Sequence, residues 1–214
     1  LEQWLERHPE FRSHGTMPLG SIETGAVVLV LSPHPDDEVI GCGGTIMHLT
    51  GSGCRVVVLH LTDGADCHSL RNKPGPYRES VRLEEAQQAA ALLGAECLCW
   101  RIPDGKVQCT EELAARLRRL INDVQPKWIF TPFVNDPHPD HRACNQLLQA
   151  ALQGSETTGS LMEIFCYEVS AFVPSRVFFR IDSLMNLKEQ ALLIYQNGLK
   201  PVDYAGDCLW RHAY

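Results

Sequence analysis

The chain has 214 residues, 44% of them hydrophobic, and 19 Lys+Arg stand against 26 Asp+Glu for a formal charge of −7. That apolar content excludes a disordered chain, and an acidic balance with no Lys/Arg-rich stripe argues against nucleic acid as the main partner. The longest apolar runs, residues 26–31 and 89–93, fall far short of the roughly 18 to 20 residues needed to cross a bilayer, so no membrane span is expected.

The opening Leu-Glu-Gln-Trp-Leu-Glu-Arg-His is too acidic and polar for a secretory signal, and it reads as part of an N-terminal extension over 1–25, a short helix and a loop. Apolar, β-branched runs at 26–31, 55–61, 96–100 and 127–131 predict strands. Each is followed by helical periodicity, over 43–50, 77–93, 111–124 and 141–152. Val81, Leu83, Ala86, Ala89, Ala90 and Leu93 share one broad helix face that Gly94 terminates. Thr110 ahead of Glu111 and Glu112 reads as an N-cap with acids in the first turn, where the helix dipole favours them. This alternation predicts an α/β fold: a Rossmann-like, doubly wound, mainly parallel sheet with helices on both faces. The near-continuous apolar strands fit burial from both sides.

After the Gly/Ser/Thr-rich residues 154–159 the pattern changes. Residues 162–167 and 176–181 predict further strands, as a hairpin or a mixed edge, and 183–195 a helix. Residues 26–214 therefore read as one domain. With no initiator methionine and an end at Trp-Arg-His-Ala-Tyr, the chain reads as a piece of a longer protein, truncated at its C-terminus. Its nine cysteines are an odd, dispersed set without a Cys-x-x-Cys pair. They read as buried thiols in a reducing compartment, which points to the cytoplasm.

The densest chemistry follows the first strand, Ser32-Pro33-His34-Pro35-Asp36-Asp37-Glu38 and then Gly41-Cys42-Gly43-Gly44. Three acids and a His against an apolar strand repel and desolvate one another unless a cation or hydrogen-bond donors compensate, and a metal is the simplest compensation. A second cluster, Asn135-Asp136-Pro137-His138-Pro139-Asp140-His141-Arg142, follows the fourth strand. With strand order 3-2-1-4 both clusters meet at the switch point of the sheet, where ligands bind. Two His and one carboxylate with an open fourth position is the ligand set of a catalytic zinc. By elimination, His34, Asp37 and His141 ligate the metal and Asp36 accepts the proton of the attacking water. His138 stabilises the oxyanion or protonates the leaving amine, and Asp140 orients an imidazole.

These residues carry a resemblance to the PIG-L/LmbE-like family of zinc-dependent N-acetylglucosaminyl deacetylases. Its two signatures, His-Pro-Asp-Asp-Glu and His-x-Asp-His, stand complete at residues 34–38 and 138–141. Gly-x-Gly-Gly-Thr at 41–45, Leu-Thr-Asp-Gly at 61–64, Pro-Asp-Gly at 103–105 and Arg82-x-x-Glu85 extend it over roughly residues 27–152. The resemblance implies the same ligands, Zn(II) or Fe(II), the base Asp36 and the charge-stabilising His138. It also implies that Arg82 and Asp104 lie around the sugar of a small amino-sugar conjugate, whose N-acetyl group is removed as acetate. Another N-acyl amide as substrate is the enzymatic alternative, and a non-catalytic metal or sugar-binding domain the other.

Simpler readings stand beside these. Arg82 with Glu85 is also the i, i+3 spacing of a surface ion pair, Asp104 is a good turn former, and Asp140 is a helix cap as readily as an imidazole partner. Gly41 to Gly44 lacks dinucleotide-binding spacing and reads as packing glycine. His8, His14, His48, His60, His68 and His212 read as structural or surface residues. The loop over 66–76 is long enough to act as a lid.

Overall fold

The structure, a computed structural model, describes residues 23–153, 162–171, 173, 179 and 181–199. Five strands, β1 (Val27–Ser32), β2 (Arg55–Thr62), β3 (Glu96–Ile102), β4 (Trp128–Pro132) and β5 (Glu163–Tyr167), form one sheet in the order β3-β2-β1-β4-β5. All four pairings are parallel, with Val28 opposite Val56 on one side and Trp128 on the other. The fold is therefore the expected doubly wound α/β sheet.

Alternate side chains of the central strands feed two cores. Val28, Val30, Val56 and Val58 face α1 (Asp37–Gly51), α2 (Gly75–Leu93) and α5 (Met185–Ile194). Leu29, Leu31, Val57 and Leu59 face α3 (Glu111–Val124) and α4 (Pro139–Gln153). Each such side chain, removed from water, stabilises the fold by roughly 1.5–3 kcal/mol before chain entropy is charged against it. Helix ends follow the sequence signals. Thr110 Oγ1 accepts from the Leu113 N–H, and Gly94 ends α2 in the left-handed region at φ 71°.

Three details differ from the sequence expectation. The first helix begins at Asp37, not at residue 43, because the acids that look like a loop sit at the helix N-terminus, where its dipole favours them. The glycines fall inside this helix, at a kink centred on Cys42. They are packing glycines: a Cβ at Gly41 would overlap the Tyr167 ring, and one at Gly44 would lie 2.7 Å from Ile181. Helix α4 starts at Pro139, two residues early, since a proline at the first helical position loses no hydrogen bond.

The third detail concerns β5, expected as part of a hairpin or a mixed edge: among the described residues it is a parallel strand beside β4. A strand reached through a helix returns in the same direction, and α4 is that crossover. Residues 1–22, holding the expected N-terminal helix, lie outside the described residues. So does the strand expected over 176–181, apart from Phe179 and Ile181. At the C-terminal end a 3-10 turn over Asp182–Leu184 precedes α5. Among the described residues no helix is long and apolar enough to cross a membrane.

Candidate metal centre

The loop after β1 and the loop after β4 meet at the C-terminal end of neighbouring strands, where the chain direction across the sheet reverses. There His34 Nδ1 lies 3.1 Å from Asp37 Oδ2, His141 Nε2 lies 3.1 Å from the same oxygen, and the two nitrogens are 3.3 Å apart. Three donors in such a triangle match the spacing, about 3.3 Å, between ligands of a tetrahedral ion with bonds of about 2.0–2.1 Å. Two imidazole nitrogens and a buried carboxylate oxygen that converge on one point can share a single cation there. The donor set thus fits a metal. A ring nitrogen of His138 also lies within 4.8 Å of donors on both other histidines.

The far sides of both imidazoles are held by carboxylates, as ligand histidines require. His34 Nε2 is 3.0 Å from Asp140 Oδ2 and 3.3 Å from Asp104 Oδ1. His141 Nδ1 is 3.2 Å from Asp136 Oδ1. Asp140, in the first turn of α4, also accepts the backbone N–H of Gly105 at 2.8 Å and of Val107 at 3.1 Å. It thereby ties the Pro-Asp-Gly turn after β3 to the centre. Asp136 is wholly buried and further accepts the N–H groups of His138 and Ser170. The sequence expectation overlooked it, although its place five residues before His141 in the same loop was available as a signal. Asp136→Asn, similar in size but without the charge, is expected to weaken metal binding by about 10–100-fold in a chelator-competition titration.

Electrostatics follow from this packing. Burial opposes a charge on His34, but Asp37, Asp104 and Asp140 outweigh it and hold its pKa well above the ordinary value. For His141 burial is likewise outweighed, by Asp37 and Asp136, and its pKa rises to about 9. Asp37 is held far below the usual carboxylate range, since His141 and His34 overcome the cost of its burial. His138 moves the other way, lowered by burial and by the two neighbouring histidines. Its Nδ1 accepts the Asp140 N–H at 3.2 Å, so the neutral ring carries its proton on Nε2 as a donor.

Asp36 stands apart from the triangle. It adopts φ 126°, a region that side chains other than glycine rarely enter, and such strain concentrates at functional sites. Burial raises its pKa to about 7, with Asp37 adding to the rise and Arg82 opposing it. Glu38, behind it, pins the turn by accepting from Ser32 Oγ at 3.1 Å, the Asp36 N–H at 3.2 Å and Tyr195 Oη at 2.6 Å. Tyr195 ends α5, so its contact with Glu38 was invisible to local sequence patterns. Lys188, also on α5, is buried and donates to the Ile40 carbonyl at 2.9 Å.

Arg82 is not a surface ion pair, since only 1% of the residue is exposed. Its Nη1 lies 2.5 Å from Glu85 Oε2, and its Nη2 donates to Asp36 Oδ2 at 2.9 Å and to the Pro35 carbonyl. Glu85 Oε1 in turn accepts both N–H groups of Asn197, just past α5. Arg82→Gln is expected to lower unfolding stability by about 3–5 kcal/mol, because it strands two buried carboxylates. Denaturant titration checks this; unchanged stability would show that the pairing contributes nothing to the fold. His60, expected as structural or surface, is a wholly buried residue of β2 with Nδ1 3.8 Å from Glu38.

The model of the GlcNAc-PI de-N-acetylase family, PIG-L, matches residues 29–152, more than half of the chain. The chain belongs to the PIG-L family. Its likeness to curated proteins includes 37% identity over 122 residues to the diacetylchitobiose deacetylase of Thermococcus kodakarensis, covering 54% of this chain and 45% of that one. It is also 31% identical over 151 residues to the 4-oxalmesaconate hydratase of Pseudomonas putida, covering 67% and 57%. The chain thus spans about half the length of these curated relatives. Among solved structures, the N,N'-diacetylchitobiose deacetylase of Pyrococcus horikoshii shares the fold with a TM-score of 0.77 at 24% identity, over 98% of this chain and 82% of that one.

Proposed function

We propose that the protein is a metal-dependent hydrolase that removes the N-acetyl group from an N-acetylglucosamine-type conjugate, releasing acetate and a free amine. The observation that carries this reading is the donor triangle of His34, Asp37 and His141 with a separate, strained carboxylate, Asp36, beside it. A binding module needs the first and not the second. The likeness to a diacetylchitobiose deacetylase supports the sugar.

Zn(II), or Fe(II) with the same ligands, would be held by those three residues and would supply Lewis acidity that acidifies water and polarises the amide carbonyl. Asp36, with a pKa tuned upward, accepts the proton of the attacking water as its oxygen bonds to the acyl carbon. His138 donates a hydrogen bond from Nε2–H to the developing oxyanion, and the proton that Asp36 took from the water passes to the leaving nitrogen as the C–N bond breaks. Asp140 and Asp136 hold the two ligand rings in their tautomers. Asp104, at the mouth of the centre with 17% side-chain exposure, is positioned to meet a sugar hydroxyl. Arg82 acts behind Asp36 and reaches the sugar only through it.

A second reading, hydration of an unsaturated keto-acid, is favoured by the 31% identity to a hydratase. Incubation of the metal-loaded protein with N-acetyl amino-sugar conjugates, a non-sugar N-acetyl amide and an unsaturated keto-diacid separates the readings. Acetate from the sugar panel alone is the expected result. Acetate from the non-sugar amide only would move the substrate to another acyl amide, and hydration without acetate would overturn the deacetylase reading.

A further inference from the structure

On β3, outside the metal centre, Cys97 and Cys99 project to the same side of the strand and their sulfurs lie 3.7 Å apart. Neither belongs to the fully buried core, and β3 is an edge of the sheet. Cys99 lines a shallow surface depression that Asp63, Glu79, Leu83 and Arg101 also line, with Pro35 of the metal loop at its wall. The backbone is irregular here: the β2–β3 register shifts just past Cys99, and Arg101 takes φ 57°. The S–H shared with Cys97 holds the Cys99 thiol below its usual range against the effect of burial, and Arg101 lowers it further. The same shared S–H raises the Cys97 thiol well above its usual range, so the pair gives up its second proton only as a metal displaces it.

The separation decides what such a pair can do. A disulfide needs sulfurs at about 2.05 Å, whereas two thiolates on a tetrahedral ion with metal–sulfur bonds of about 2.3 Å stand about 3.8 Å apart. The observed 3.7 Å lies near the second spacing and far from the first. We propose that Cys97 and Cys99 form a second, sulfur-only site that chelates one soft, thiophilic ion, such as Cd(II) or a trivalent arsenical. Soft ions prefer thiolates to imidazole and carboxylate, so they partition here and leave the His/Asp centre to a borderline metal. With a trivalent arsenical, two As–S bonds form, two As–OH bonds break, each hydroxide leaves as water with a thiol proton, and no electron is transferred.

Titrating Cd(II) into the protein already loaded with zinc tests this. One further equivalent is expected to bind with the near-ultraviolet absorbance of cadmium thiolates. Cys97→Ser and Cys99→Ser, each keeping wild-type metal at the His/Asp centre, should each lose that absorbance. Its absence from wild type, or its survival in either variant, would overturn the proposal. Phenylarsine oxide on wild type supplies a check that needs no variant. A single adduct should protect both thiols of the β3 peptide from alkylation, and protection confined to other cysteines would contradict the site.

Discussion

Asp36→Asn is expected to leave metal content near wild type while lowering kcat by about 10²–10⁴-fold, the usual contribution of a positioned general base. Asparagine is the informative choice. Asp36 sits at φ 126°, and outside glycine Asn is among the residues that best tolerate positive φ, so the turn into α1 should survive. The amide keeps the size of the carboxylate but loses both the ability to take a proton and the charge that faces Arg82. Metal analysis beside acetate release checks the claim. Metal lost together with activity would make Asp36 a ligand, and an unchanged rate would remove it from the reaction.

His141→Ala should have the opposite signature, metal and activity falling together. Its Nε2 is one corner of the donor triangle, 3.1 Å from Asp37 and 3.3 Å from His34. Two donors remain, so the loss of metal affinity should exceed the about 10–100-fold expected for a residue that only orients a ligand. Excess metal should restore part of the rate, whereas no metal concentration rescues Asp36→Asn. A His141→Ala protein that keeps its metal through dialysis would exclude His141 from the ligand set. His138, whose ring nitrogen lies near both other histidines, would then be the replacement to test.

Local sequence carried the α/β alternation, since strands buried from both sides are continuous apolar runs and Gly94 and Thr110 mark helix ends chemically. It also carried the donors, because His34, Asp36 and Asp37 fall within one turn and His138, Asp140 and His141 within another. What it could not carry were contacts between distant segments. Arg82 with Glu85 has the spacing of a solvent-exposed pair, and only the turn past α5 over it, with Asn197 on Glu85, makes it buried. Tyr195 on Glu38 joins residues separated by 157 positions, beyond any periodicity. The direction of β5 was derivable from the crossover rule, but the change of composition at residues 154–159 obscured it. Asp136 lay in plain sight, and a ligand imidazole's need for a carboxylate on its far nitrogen was the argument that could have found it.

The most direct measurement is hydrolysis of an N-acetylglucosamine conjugate in ¹⁸O-labelled water by protein whose metal content is known. The account predicts that acetate and free amine appear in equal amounts, that the acetate carries the label, and that the rate follows metal content. Fully metal-loaded, folded protein that releases no acetate from any amino-sugar conjugate would contradict it.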